Sequence, residues 1–180
     1  MRHRHKFLLF RVYRFRDTEA YGQLYDFYVI KIRRFISFRI PSSEEAEELT
    51  SEVFLRGWEY ATASIVKNPG ALFYRIAKYV VADFYRSRMQ ETGLDEAAEI
   101  ASPEKLISEK LEIKDDSQRL ISQLKNLKEE YRDVLVMKYL DEMSIGEIAE
   151  SLEKTSNNVR VLLHRAKNAL KEITSDEYNK

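Results

Sequence analysis

The stretch SIGEIAESLEKTSNNVRVLLHRAKNAL, residues 144–170, decides how this chain is read. Ser144 followed by Glu147 is a capping-box pattern, so a short helix opens there. That helix ends near Leu152. Glu153-Lys154-Thr155 turns the chain, and Ser156 is expected to cap a last helix running to about Ile173. A short helix, a tight turn and a longer basic helix form the helix-turn-helix plan. Ile148, Ala149 and Leu152 face inward from the first helix, and the small Ala149 lets two helix backbones approach. On the second helix Val159, Leu163, Ala166 and Leu170 recur at helical spacing and share one face. The opposite face presents Asn157, Val161, His164 and Asn168, flanked by Arg160 and Arg165. Asn and Arg reach base edges bidentately in a major groove. Ser156 and Asn157 lie at a helix N-terminus, where backbone N–H groups can hold a phosphate. An ordinary antiparallel helix pair with a solvated basic face fits the same pattern.

Charge is distributed in a way that supports a polyanion-facing stripe. Over 180 residues, 30 Lys+Arg balance 30 Asp+Glu. Residues 1–90 hold 16 basic and 10 acidic residues, 91–115 hold three and eight, and 116–180 hold 11 and 12. Within 154–171 there are five basic residues and no acid. A local basic stripe of this kind meets a phosphate backbone even when net charge is zero. The 44% hydrophobic share is enough for a core, and five Gly with three Pro disfavour a turn-rich all-β fold. Zero Cys excludes a disulfide framework, a thiolate zinc site and a Cys nucleophile, and fits a reducing compartment.

Upstream, helical periodicity continues. Leu24, Phe27, Tyr28, Lys31, Ile32 and Phe35 predict a helix from about 18 to 38. Ile40-Pro41-Ser42-Ser43 breaks it, and Ser42 or Ser43 can cap the next helix. Glu44, Glu45, Glu47 and Glu48 fall in that helix's first turns, where the dipole favours them. Ala46, Leu49, Val53 and Phe54 form its buried stripe, to about Tyr60. Asn68-Pro69-Gly70 is a turn signal. A third helix follows from about 71 to 89, with Leu72, Ile76, Val80 and Phe84 near one face. The acidic, aromatic-free segment 91–115, interrupted by Gly93 and Pro103, reads as a linker. The expected architecture is all-α: two helical domains, 17–90 and 116–175, joined by that linker, with the helix-turn-helix in the second. Segment 1–16 has six basic and no acidic residues, and its reading is either a disordered basic arm or a misplaced start site. Its apolar run Phe7–Phe10 is shorter than the ~7–15 residues of a signal h-region. No run approaches the ~18 apolar residues of a membrane span. The expected location is cytoplasmic.

Three stretches of the second half carry a family likeness. Glu130-Tyr-Arg-Asp-Val-Leu-Val-Met-Lys-Tyr-Leu140, Ser144-Ile-Gly-Glu-Ile-Ala-Glu-Ser-Leu152 and Asn158-Val-Arg-Val-Leu-Leu-His-Arg-Ala-Lys167 together resemble domain 4 of bacterial sigma factors, most of all the extracytoplasmic-function group of the sigma-70 family. Glu153-Lys154 stands where a Gly is usual, and Asn158 where Thr is usual. The likeness implies contact with the −35 promoter element by Ser156, Asn157, Asn158, Arg160, Val161, His164, Arg165 and Lys167. In the first half, Ala46-Glu-Glu-Leu-Thr-Ser-Glu-Val-Phe-Leu-Arg-Gly-Trp58 resembles region 2.2 of the family, with Ser51 replacing the usual Gln. It implies a polymerase-binding surface of Glu47, Glu48, Ser51, Glu52 and Arg56.

Leu72-Phe-Tyr-Arg-Ile-Ala-Lys-Tyr-Val-Val-Ala-Asp-Phe-Tyr-Arg-Ser-Arg88 resembles regions 2.3 and 2.4, with Leu72 for a frequent Trp and Tyr79 for a frequent Asn. It implies −10 element contacts by Asn68, Tyr74, Arg75, Lys78, Tyr79, Asp83, Arg86 and Arg88. The family's base-holding loop falls at about Ser64 to Ala71. Cations interleaved with aromatics suit single-stranded DNA on physical grounds too. Phe73, Tyr74 and Phe84 have a competing reading as core, the stronger one for Phe73 and Phe84. The implied function is promoter-specific initiation with core RNA polymerase, promoter DNA and an anti-sigma factor as partners. No cofactor, metal or catalytic residue is expected. A free-standing helix-turn-helix regulator acting as a dimer is the alternative, and a protein-interaction adaptor is a third class.

Overall fold

The computed structural model describes residues 2–92 and 123–178 and forms two compact units, Met1–Pro103 and Glu104–Lys180. Every regular element among the described residues is helical. The tether expected at 91–115 lies outside the described residues, apart from the last two residues of the fourth helix.

The first unit contains α1 (Arg2–Phe15), α2 (Thr18–Ser37), α3 (Ser43–Ala63) and α4 (Pro69–Thr92). The first helix corrects the reading of 1–16 as a disordered arm. Leu8, Leu9 and Val12 are buried, and α1 packs on α2 and α3. Burying three aliphatic side chains offsets the ordering of a short basic segment. Arg16 ends the helix in the left-handed region (φ 49°), and Asp17 caps α2 by accepting from the Ala20 N–H at 2.9 Å. Arg11 reaches the same carboxylate at 2.6 Å. The Ala20 N–H bond, with Arg11 beside it, holds the Asp17 carboxyl below its usual range.

Ser42, the first of the two expected candidates, caps α3 by accepting from the Glu45 N–H at 3.3 Å. The core between α2, α3 and α4 is aromatic. Phe73 packs on Phe54 and Tyr28 with ring centroids 4.8 and 5.3 Å away. Phe54 meets Tyr25 at 4.7 Å. Gly57 makes the close approach possible: a Cβ there would stand 2.6 Å from Phe73 Cε1 and 2.8 Å from the Tyr21 hydroxyl. Tyr21 donates its O–H to the Phe54 carbonyl, and burial pushes its phenol above the usual range.

The second unit contains α5 (Glu129–Leu135), α6 (Ile145–Ser151) and α7 (Ser156–Tyr178). α5 widens into a π-helical turn over Val136–Leu140, where the Asp141 N–H reaches the Val136 carbonyl five residues back at 3.0 Å. Val134, Met137, Ile148, Val159 and Ala166 are buried and join the three helices.

Candidate nucleic-acid and polymerase interfaces

The helix-turn-helix forms from local chemistry. Ser144 Oγ accepts from the Glu147 N–H at 3.3 Å, and Glu147 Oε2 accepts from the Ser144 N–H at 2.8 Å, completing the expected capping box. α6 ends in a Schellman motif. The Lys154 N–H meets the Ala149 carbonyl at 2.8 Å, the Glu153 N–H points to Glu150 O at 3.4 Å, and Glu153 takes φ 55°. That left-handed residue occupies the position where a Gly is usual, so the turn keeps its shape at a strain cost. Lys154 pairs with Glu130 on α5 at 2.7 Å. The cap of α7 is Thr155, not Ser156: Thr155 Oγ1 accepts from the Asn158 N–H at 3.2 Å. The side chain one residue earlier is the one with the geometry to reach that N–H. Ser156, Asn157 and Asn158 are then exposed residues of the first turn.

Around α7, Val159, Leu163 and Ala166 are buried, while Asn157, Arg160, Val161, His164, Arg165 and Asn168 are exposed. Asn168 Nδ2 lies 3.4 Å from His164 Nε2, one helical turn away. Arg160 and Arg165 have no ion-pair partner among the described residues. Cations without an internal partner give up no ion pair when they meet a phosphate or a base. Lys167 departs from this stripe: its ammonium lies 5.6 Å from the Tyr139 ring centroid. It lines an apolar groove with Leu124, Leu135, Tyr139, Leu140 and Leu170. This groove was not apparent in the sequence, because the widened turn at 136–140 is what exposes Tyr139 and Leu140.

In the first unit the stretch 72–88 divides between core and surface. Tyr74, expected among the −10 contacts, is only 1% exposed and meets Phe35 edge-on at 5.3 Å. It belongs to the core, because α4 is covered by both α2 and α3 and buries consecutive positions 71–74. No base can reach that ring without unpacking the unit. Phe73 is buried as well, and Phe84 is half-buried. The structure also shortens the expected loop: Pro69, Gly70 and Ala71 are buried in the first turn of α4 and leave 64–68 as loop.

Asn68 Oδ1 accepts from the Ala71 N–H at 3.2 Å, so its side chain caps α4. Lys78, Tyr79 and Arg86 are exposed, and Arg75 is half-buried. Asp83 accepts from Arg56 at 3.3 Å and from Arg86 at 3.0 Å. Arg88 pairs with Glu45 at 3.3 Å. On α3, Glu47 pairs with Arg33, Ser51 Oγ donates to the Glu47 carbonyl at 3.1 Å, and Glu52 pairs with Arg56 at 2.5 Å. Glu47, Glu48 and Ser51 are exposed. The five residues do not form a bare acidic patch: Arg33 ties Glu47 to α2, while Arg56 holds Glu52 within α3 and itself reaches Asp83 on α4.

No cluster of ligating side chains suited to a metal ion occurs among the described residues, and no described helix is long and apolar enough to cross a membrane. A sequence model of the family described as "Sigma-70, region 4" matches residues 117–170. The chain is 28% identical over 169 residues to the ECF RNA polymerase sigma factor BldN of Streptomyces coelicolor, covering 89% of this chain and 62% of that protein. It is likewise 28% identical over 173 residues to the ECF RNA polymerase sigma factor SigW of Bacillus subtilis, covering 89% and 91%. The chain therefore spans less than two thirds of BldN's length but nearly all of SigW's. A solved structure of CnrH in complex with the cytosolic domain of CnrY shares the fold, with TM-score 0.69, 20% identity and coverage of 96% and 98%. The region 4 match falls on the helix-turn-helix and both relatives align over 89% of the chain, so along most of its length the chain is similar to extracytoplasmic-function sigma factors of the sigma-70 family.

Proposed function

We propose that this chain binds core RNA polymerase and directs promoter-specific initiation. In this reading α7 enters the major groove of the −35 element through Asn157, Asn158, Arg160, Val161, His164 and Arg165. The loop 64–68 and the exposed Lys78, Tyr79 and Arg86 of α4 hold the −10 strand, and α3 presents Glu48 and its neighbours to polymerase. The observation that carries the reading is the exposed Asn/Arg stripe on α7, whose two arginines have no ion-pair partner among the described residues and which stands behind a capped helix-turn-helix. The chain supplies recognition and no bond-making chemistry, which belongs to polymerase. A protein regulator that holds the free factor completes the reading, and it is supported by the complex in which CnrH was solved.

The stripe over 154–171 offers about five phosphate contacts, too few for tight binding at physiological salt. Free protein is therefore expected to discriminate promoters poorly, and core polymerase plus protein to initiate at defined start sites. Glu48→Lys with Glu52→Lys is expected to reduce co-purification with core enzyme while both units stay folded. Run-off transcription for wild type and variant side by side provides the test. Tight operator binding without polymerase, and no run-off product, would overturn this reading in favour of a free-standing regulator.

A further inference from the structure

We infer that the groove between α1 and the loop 64–68 is a second docking site for single-stranded nucleic acid. It rests on the reading of this chain as a promoter-binding factor and extends the strand's path from the loop onto α1. The groove, about 470 Å³, is lined by Lys6, Leu9, Phe10 and Tyr13 of α1 and by Ile65 and Lys67 of the loop. Phe10, Tyr13 and Ile65 are 55%, 39% and 73% exposed, an unusual concentration of large apolar surface beside cations.

The charge pattern identifies the occupant. Neither α1 nor the groove lining contains an acidic residue, while Lys6 and Lys67 bring cations from both elements and Arg14 lies exposed nearby on α1. Rings for base faces and ammonium groups for the backbone are the two components of a base-tolerant single-strand site. An acidic peptide would satisfy the cations but not the rings. A membrane-surface helix inserts a continuous apolar face, and here Leu8, Leu9 and Val12 of that face are already buried in the unit. What α1 leaves outside is a mixture of rings and cations, folded into a concavity by the loop.

The test is fluorescence anisotropy of the full chain with a labelled oligothymidine strand and with a duplex of equal length. Phe10→Ala with Tyr13→Ala is expected to weaken strand binding at least about five-fold, the lower end of what one lost stacking contact costs. Lys6→Glu, which leaves the loop untouched, is expected to weaken it too and to flatten the log–log salt dependence by roughly 0.7, one phosphate contact. All three side chains line the exposed groove, so circular dichroism should show the fold retained. Unchanged strand affinity in either α1 variant overturns the inference. Loss of binding to anionic phosphatidylserine vesicles with strand affinity unchanged overturns it in favour of a membrane surface. Run-off transcription separates the two proposals. Run-off by wild type with strand affinity unchanged in the variants removes this site alone. Impaired strand binding in the variants, with no run-off by wild type, leaves the site and removes the promoter reading.

Discussion

Gly57→Ala tests whether the aromatic core of the first unit is closed by the absence of a side chain. A methyl group at this position would stand 2.6 Å from Phe73 Cε1, about 1 Å inside ordinary carbon–carbon contact at ~3.5–4.0 Å. Phe73 cannot withdraw freely: it is 1% exposed and wedged against Phe54 and Tyr28. The Tyr21 hydroxyl, 2.8 Å from the same methyl, would also have to move from its bond to the Phe54 carbonyl. Overpacking of this severity belongs at the upper end of the observed range, about 3 kcal/mol. Alanine recovers about 1 kcal/mol of helix propensity.

The net expectation is a loss of about 2 kcal/mol, a fall in melting temperature of roughly 8–16 °C for a domain of this size. Trp58 is the single tryptophan and packs on Tyr21 with ring centroids 5.2 Å apart, so its fluorescence reports unfolding of the first unit alone. Gly22→Ala in α2 provides the control, because nothing lies within 4 Å of a Cβ built there. That variant should gain about 0.5–1 kcal/mol. If Gly57→Ala melts at or above wild type, the close-approach argument is wrong.

Arg160→Ala and Arg165→Ala should each weaken −35 recognition by holoenzyme by ~1–3 kcal/mol and relax specificity at one base position, read by promoter binding across single-base variants. Glu153→Gly should raise the melting temperature of the second unit by relieving left-handed strain, a gain of up to about 1 kcal/mol, measured by calorimetry. The folded-state pKa of Asp17 is depressed, so its contribution is fully present above the unfolded value near 3.8 and is lost as pH falls through the folded value. An NMR titration should show the Ala20 amide reporting this loss, and Asp17→Asn, which keeps a capping side chain, should abolish the titration. The composition of 91–115 predicts two protease-resistant fragments from the isolated protein. Cleavage at the termini alone would refute the tether.

The readings that needed only neighbours in the chain were available in the sequence. The capping box at Ser144–Glu147, the α3 cap at Ser42 and the inward stripe of Val159, Leu163 and Ala166 depend on contacts three to seven residues apart, which helical periodicity states directly. The family motifs are likewise read along single helices, which is why the sequence alone names the residues of both candidate interfaces. What the tertiary structure decided is which faces are covered. Tyr74 lies in a motif that looks like a stacking platform, yet α2 and α3 both pack over its helix and take the ring into the core.

Basic composition suggested an arm at residues 1–16, although Leu8, Leu9 and Val12 already sat at helical spacing there. Three apolar residues are too few to predict a helix without the surface of α2 and α3 that buries them. The ion pairs of Glu47 with Arg33 and of Arg56 with Asp83 join residues 14 and 27 apart, and Lys6 meets Lys67 in one groove only because α1 folds back beside the loop. Local sequence thus determined the helices other than α1, the caps at Ser42 and Ser144 and the inward stripe of α7. Burial, long-range pairing and the α1 groove were decided by packing, because no periodicity within one helix specifies which of its sides another helix will cover.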